Sequence, residues 1–232
     1  MKRLAVTLML LLTLIFLQSC EHELPSPQNP MVEPPPSSTE MTLEDFHQPE
    51  ACAGCHPNHY NEWKGAMHAY AVIDPVFNAM QDLGQQETQG KMDQFCIQCH
   101  SPIASKLGLT PAFYKEEDLP PIGRRGVSCM VCHTIYEVNQ PANADVELAP
   151  RMGIRGPIED PVDNSFHVSV HEPMLKTSEI CSGCHNVVNP RGVTIENTFN
   201  EWKNSPAAAE GQQCQDCHMP VYQGQAAVGG PQ

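Results

Sequence analysis

The pentapeptide Cys-x-x-Cys-His is written five times in this chain: Cys52–His56, Cys96–His100, Cys129–His133, Cys181–His185 and Cys214–His218. In this spacing both thiols can form thioethers to the vinyl groups of one haem, and the following His turns back onto the iron. Other uses of paired cysteines explain less. Structural zinc takes such pairs two at a time and requires no His after the second Cys. A thioredoxin-type redox pair accounts for one copy, not five. A disulfide framework needs no fixed two-residue gap. Haem attachment accounts for all ten motif cysteines and all five motif histidines at once. The motifs therefore point to five covalently bound haems c. Cys52, Cys55, Cys96, Cys99, Cys129, Cys132, Cys181, Cys184, Cys214 and Cys217 would hold the porphyrins, and His56, His100, His133, His185 and His218 would be the proximal iron ligands.

The eleventh cysteine, Cys20, closes an N-terminal segment with export character. Lys2 and Arg3 precede an apolar run from Leu4 to Leu17, followed by Gln18, Ser19 and Cys20. The run is short for a bilayer span, and a small residue precedes the cysteine. Leu17-Gln18-Ser19-Cys20 resembles a bacterial lipobox, although Gln18 is not the usual small residue. The expectation is a lipoprotein signal over residues 1–19, with Cys20 acylated; an ordinary secretory signal or an uncleaved anchor are the alternatives. Residues 20–44 are rich in Pro, Ser and Glu and read as an extended tether. Residues 45–222 carry every motif without a compositional break and read as one multihaem domain. The Gly- and Ala-rich residues 223–232 read as a flexible tail.

Acidic residues outnumber basic ones 27 to 13, for a formal charge of −14. That balance argues against nucleic acid as a partner and fits steering toward a basic redox protein. Roughly 35 residues per haem are too few to bury each macrocycle separately. Aromatic residues make up only 6%, so stacked porphyrins would stand in for a conventional core. The expected fold is mainly α, with long irregular loops and little or no sheet. Pro102, Pro111, Pro120, Pro121, Pro150 and Pro161 read as breaks in regular structure.

The clearest helix signal runs from the first motif through Tyr60, Trp63 and Lys64 to His68. On one continuous helix His68 lies ~18 Å beyond His56, so as a ligand it would serve a different haem. Asn200-Glu201-Trp202-Lys203 echoes Asn61-Glu62-Trp63-Lys64, with Pro206 read as standing where His68 would be. Together, CAGCH with Tyr60, Trp63 and His68, then GVSCMVCH, the Ser178-Glu179-Ile180-CSGCHN block, EWKNSP and CQDCHMP resemble the multihaem cytochromes related to hydroxylamine oxidoreductase and tetrahaem cytochrome c-554. The resemblance runs from about Cys52 to Pro220. It implies closely stacked haem pairs, a distal ligand at His68 and another at His167. Five motifs are fewer than in the octahaem enzymes and one more than in the tetrahaem proteins.

Five irons need five distal ligands, and six histidines lie outside the motifs. His22 falls in the tether, and His59 follows His56 too closely on the same helix. His68 and His167 lead, and His47 and His171 complete four candidates for five positions. His167 and His171 share a face in helix or strand. A Met, His59 or an open iron would make up the shortfall. Arg124, Arg125 and Arg191 flank motifs and are candidates to pair with propionates. No hydrolase triad, phosphate loop or zinc-protease motif is present.

The sequence thus points to an exported electron carrier on the periplasmic side of the envelope or outer membrane, tethered through Cys20 and serving redox partner proteins. The alternative is a haem oxidoreductase acting on a small nitrogen or sulfur compound at an open iron. A third reading is an oligomer built through haem-edge contacts, which lipidation disfavours.

Overall fold

Prolines start helices in this chain more often than they stop them. The computed structural model describes residues 41–162 and 164–230; the signal segment, Cys20, His22 and nearly all of the tether lie outside the described residues. Among the described residues there are eleven helices, most of one or two turns. Five open with Pro in the first turn: α1 (Pro49–Ala53), α2 (Pro57–Lys64), α4 (Pro75–Thr88), α6 (Pro102–Lys106) and α10 (Pro206–Ala209). A first-turn Pro gives up an N–H that has no intrahelical acceptor and arrives with its φ already helical. Pro102, read from sequence as a break, is instead such a start.

The longest helix, α4, shows the logic most fully. The Asp74 carboxylate accepts from the Val76 N–H at 2.7 Å and the Phe77 N–H at 3.3 Å. Gln89, in the left-handed region at φ 53°, closes its far end. Side-chain acceptors at the first position and a left-handed residue after the last satisfy the backbone groups that every helix leaves over.

The expected helix from the first motif to His68 is two helices. Gly65 ends α2, and Ala66 is extended at φ −91°, ψ 155° before α3 (Met67–Tyr70) begins. The second copy behaves alike: α9 (Thr198–Lys203) ends, Ser205 is extended at φ −91°, ψ 161°, and α10 follows. Matching these two extended residues corrects the sequence alignment. Pro206 corresponds to Met67, and the residue in His68's place is Ala207.

The remaining helices contain or immediately flank the motifs: α5 (Ile97–His100), α7 (Cys129–Cys132), α8 (Glu179–Ser182) and α11 (Cys214–His218). Strands are few and paired in twos. β1 (Ile135–Val138) runs antiparallel to β2 (Val146–Leu148), and β5 (Val187–Val188) antiparallel to β6 (Thr194–Glu196). β3 (Ile154–Gly156) runs parallel to β4 (Ser169–His171), matching Arg155 with Val170 and Gly156 with His171. The molecule is mainly α, as expected, with three short ribbons added.

Two modest apolar clusters hold these pieces. One gathers Ile103, Ile122, Met130, Val131, Ile135, Val146 and Leu148 with Met41 and Phe46. The other gathers Val72, Ile97, Ala104, Tyr114 and Leu119. Phe46 and Tyr114 are their aromatic members; most of the rest is aliphatic, in keeping with the low aromatic content.

Candidate haem-binding sites

None of the ten motif cysteines is joined in a disulfide, and nine of them are partly buried. Their neighbours come from other motifs. The Cys129 S–H is hydrogen-bonded to Cys52, which holds the Cys52 thiol down to about 7 and raises that of Cys129. Cys99 and Cys184 form a similar pair, lowering Cys99 and raising Cys184. Burial pushes Cys181 up to about 12, aided by nearby Cys214 and Cys132. Burial likewise pushes Cys132 up to about 11, with Cys184 adding to it. The first motif therefore meets the third, the fourth meets the second and the fifth, and the third and fourth lie close enough to interact electrostatically.

Side chains fix these sites to one another. Buried Ser178, just before the fourth motif, donates its N–H to Gln213 Oε1 at 2.8 Å, and its Oγ accepts from the Cys214 N–H at 2.8 Å. Gln215, inside the fifth motif, donates to the carbonyls of Leu175 and Thr177 at 3.1 and 2.7 Å. Ser101, directly after the second motif, donates to the Gly123 carbonyl at 2.7 Å. Trp63 Nε1–H donates to the Val127 carbonyl two residues before Cys129, at 2.9 Å.

Three motif histidines have their ring orientation set by a backbone carbonyl. Nδ1 of His56 lies 2.6 Å from the Ala226 oxygen, that of His100 lies 2.7 Å from Ala71, and that of His133 lies 2.5 Å from Arg155. A carbonyl can only accept, so the ring proton sits on Nδ1 and the Nε2 lone pair is left for a metal. Burial lowers the pKa of His100 and His133, favouring the neutral imidazole that binds metal.

Two imidazole pairs face each other. The His56 and His167 rings are 6.4 Å apart between centroids, and those of His68 and His185 are 6.2 Å apart. An iron bound by two imidazoles at about 2.0 Å each sets ring centroids about 6 Å apart, so both spacings fit a haem iron between the rings. His68 is exposed, as His47 and His171 are, yet surrounding protein and then His185 lower its pKa. His68 is thus paired with the fourth motif, and His167 with the first. His47 and His171, the other two distal candidates, are exposed, and no ring contact joins either to a motif histidine among the described residues. His59 stands edge-on to His56 at 6.0 Å and 6.5 Å from Tyr222. His100 instead has Phe77 stacked on its ring at 3.8 Å.

Two of the arginines chosen from sequence lie at the surface beside acids. Arg124 pairs with Glu116 at 2.5 Å, and Arg125 with Glu50 at 2.7 Å; Arg191 is exposed. Three residues with no sequence signal matter more. Ala226 holds His56 from the tail, Phe77 covers the His100 ring, and buried Arg155 contacts His133 through its main chain. Only the Asp74-Pro75 helix start hinted at the position of Phe77.

A family model described as cytochrome c554 and c-prime matches residues 51–134, the stretch with the first three motifs. A solved structure, a penta-haem cytochrome c552 from Thermochromatium tepidum, superposes with a TM-score of 0.54 at 25% sequence identity. The match covers 82% of this chain and 56% of that one, so this chain spans little more than half the length of that relative. No curated protein matches.

Proposed function

Because the chain is a multihaem c-type cytochrome of the cytochrome c554 family, we propose that it carries five haems c and relays electrons between respiratory redox proteins outside the cytoplasm. The observation that carries this reading is the contact order of the attachment sites. The thiols of the first and third motifs meet, those of the second and fourth meet, and Cys132 and Cys181 lie near the fourth and fifth. Haems held there would be near neighbours along an unbroken path, which an electron carrier requires.

A bound haem would supply the redox change, while the protein would hold its iron and set its potential. His56 with His167 and His68 with His185 would ligate two irons from both sides. His100, His133 and His218 would hold the other three by their proximal ligands. Bis-histidine ligation favours low potentials, which suits a carrier fed by a quinol or a reductase. Acylation of Cys20 would keep the domain at a membrane, on the periplasmic side of the envelope or at the outer membrane.

The second motif favours a second reading: among the described residues the ring in contact with His100 is Phe77, not a second histidine. An iron held there without a second histidine could act on a small nitrogen or sulfur compound. Intact mass and a redox titration of the holoprotein test the first reading: five haem increments and several low-potential, low-spin centres are expected. Fewer than five increments would refute it. Carbon monoxide binding to the reduced protein, with turnover of hydroxylamine or nitrite, would favour the enzyme.

A further inference from the structure

Arg155 is 7% exposed and sits in the middle of β3, with its Nε buried and without a hydrogen-bond partner. Among the described residues no carboxylate lies in ion-pair contact with it. Glu172 is near enough to favour its charge, but the Glu172 carboxylate accepts from the Met174 N–H at 3.2 Å. The guanidinium faces the Tyr136 ring, 5.8 Å from its centroid. A buried cation without a partner is costly, and a planar fork of donors matches a two-oxygen anion.

The main chain of the same residue grips His133 twice. The Arg155 N–H donates to the His133 carbonyl at 2.9 Å, and the Arg155 carbonyl accepts from His133 Nδ1–H at 2.5 Å. We infer that Arg155 is a buried carboxylate-binding site serving a propionate of the haem attached at Cys129, Cys132 and His133. The same fork would also accept a free small oxyanion. The propionate is favoured because the two bonds to His133 fix Arg155 beside that haem's own ligand. This inference rests on haem attachment at the third motif. Its role is to neutralise charge next to the third iron and so raise that haem's potential relative to its neighbours.

The test is a spectroelectrochemical titration of the holoprotein and its Arg155→Gln and Arg155→Lys variants at one fixed pH, after counting haems by mass. With the haem count intact, Arg155→Gln should shift one haem's reduction equilibrium toward the ferric form by roughly tenfold, which is 59 mV for one electron. Arg155→Lys, which keeps the charge, should restore most of that shift. Where the Gln variant does not mature, the Lys variant still reads out: loss of the fork with retained charge should move the same single haem by a smaller amount. Unchanged potentials in fully loaded variants would overturn the site while leaving the multihaem reading intact; a wild-type chain without a third haem would overturn the reading itself. A wild-type titration that moves on adding phosphate or nitrite, and an Arg155→Gln titration that does not, would assign the site to a free oxyanion and overturn the propionate.

Discussion

The Trp63 indole N–H donates to the Val127 carbonyl across 2.9 Å, and so ties the helix after the first motif to the strand of chain entering the third. Trp202 repeats the arrangement, donating to the Gln212 carbonyl at 2.9 Å. Val127 and Gln212 each lie two residues before a motif's first cysteine. The Asn-Glu-Trp-Lys echo is therefore a structural unit: a short helix whose tryptophan steadies the approach to an attachment site. Trp63→Phe keeps the ring beside Tyr60, 6.0 Å away, and loses only the donor. A cost of about 1 kcal/mol is expected, read as a lower thermal midpoint with the haem count unchanged. Trp202→Phe should cost less, because its hydrogen bond is solvent-exposed. Equal losses would contradict the role given to burial.

Gly126, one residue further back, meets the backbone that carries His68. It sits at φ 59°, and a Cβ there would come within 2.4 Å of the His68 carbonyl oxygen. The next residue, Val127, donates its N–H to that same oxygen at 2.9 Å. Gly126→Ala combines a left-handed φ with a backbone clash, a cost of roughly 1–3 kcal/mol for the strain alone. His68 should be displaced from His185. The expected signature is a high-spin ferric signal from one haem in electron paramagnetic resonance, absent from the parent protein. A variant with the parent spectrum would show that the loop yields without moving His68.

Direct removal of distal histidines separates the four sequence candidates. His68→Ala and His167→Ala should each convert one low-spin haem to high spin, since each ring faces a motif histidine at about the spacing that one iron sets. His47→Ala and His171→Ala should leave the spectrum alone. A spin change in either of the latter would mean that these exposed rings reach an iron after all.

The chemistry of this chain was far more legible in its sequence than the geometry. The motif spacing points to haem attachment because thioether formation requires that spacing, and the scarcity of aromatics, read as a sign that porphyrins would fill the core, is matched by two small, mostly aliphatic clusters. The single helix to His68 failed at Gly65 and Ala66, where a weak helix former and an extended residue let the chain turn. Pro102 misled because a proline can follow one helix or start the next, and only the position of the cap decides which; Pro206 was misplaced by one residue in the repeat, at Met67's position and not His68's. The partners of His56 and His133 were invisible because they are backbone carbonyls. Any residue type could supply them, so Ala226 and the main chain of Arg155 left no mark. The acids beside Arg124 and Arg125, Glu116 and Glu50, were likewise not placed by a count of basic residues.

Near the start of the described chain, Arg151 grips Asp45 at 2.8 and 2.9 Å. That contact lowers the Asp45 pKa from 3.8, the Arg151 hydrogen bond being the first cause, and Thr42 adds to it through its N–H and hydroxyl. A carboxylate with a depressed folded-state pKa contributes stability that is present above 3.8 and is lost as pH falls through the lower, folded value. Asp45→Asn should therefore lower stability at neutral pH, by less than about 1 kcal/mol for a pair with one partner this exposed. The difference between variant and parent should shrink once pH falls below 3.8. Urea unfolding at a series of pH values would measure it, and a difference that persisted unchanged in acid would refute the ion pair as its source.

The tail offers the sharpest test of ligand tuning by the backbone. Residues 223–232 read as a loose end, yet the Ala226 carbonyl holds His56 Nδ1 at 2.6 Å, and the Val228 N–H donates to the Cys55 carbonyl at 2.8 Å. A carbonyl accepting from Nδ1 makes an axial imidazole more basic, stabilises ferric iron and lowers the potential. Deleting residues 222–232 exchanges that acceptor for water. One haem, the one that His56 and His167 would ligate, should then move to higher potential by roughly tenfold in its reduction equilibrium, while the others hold. Near-infrared and electron paramagnetic resonance titrations resolve the shift without requiring a partner protein. A truncated protein whose potentials all match the parent would mean that the tail rests on the first site without governing it.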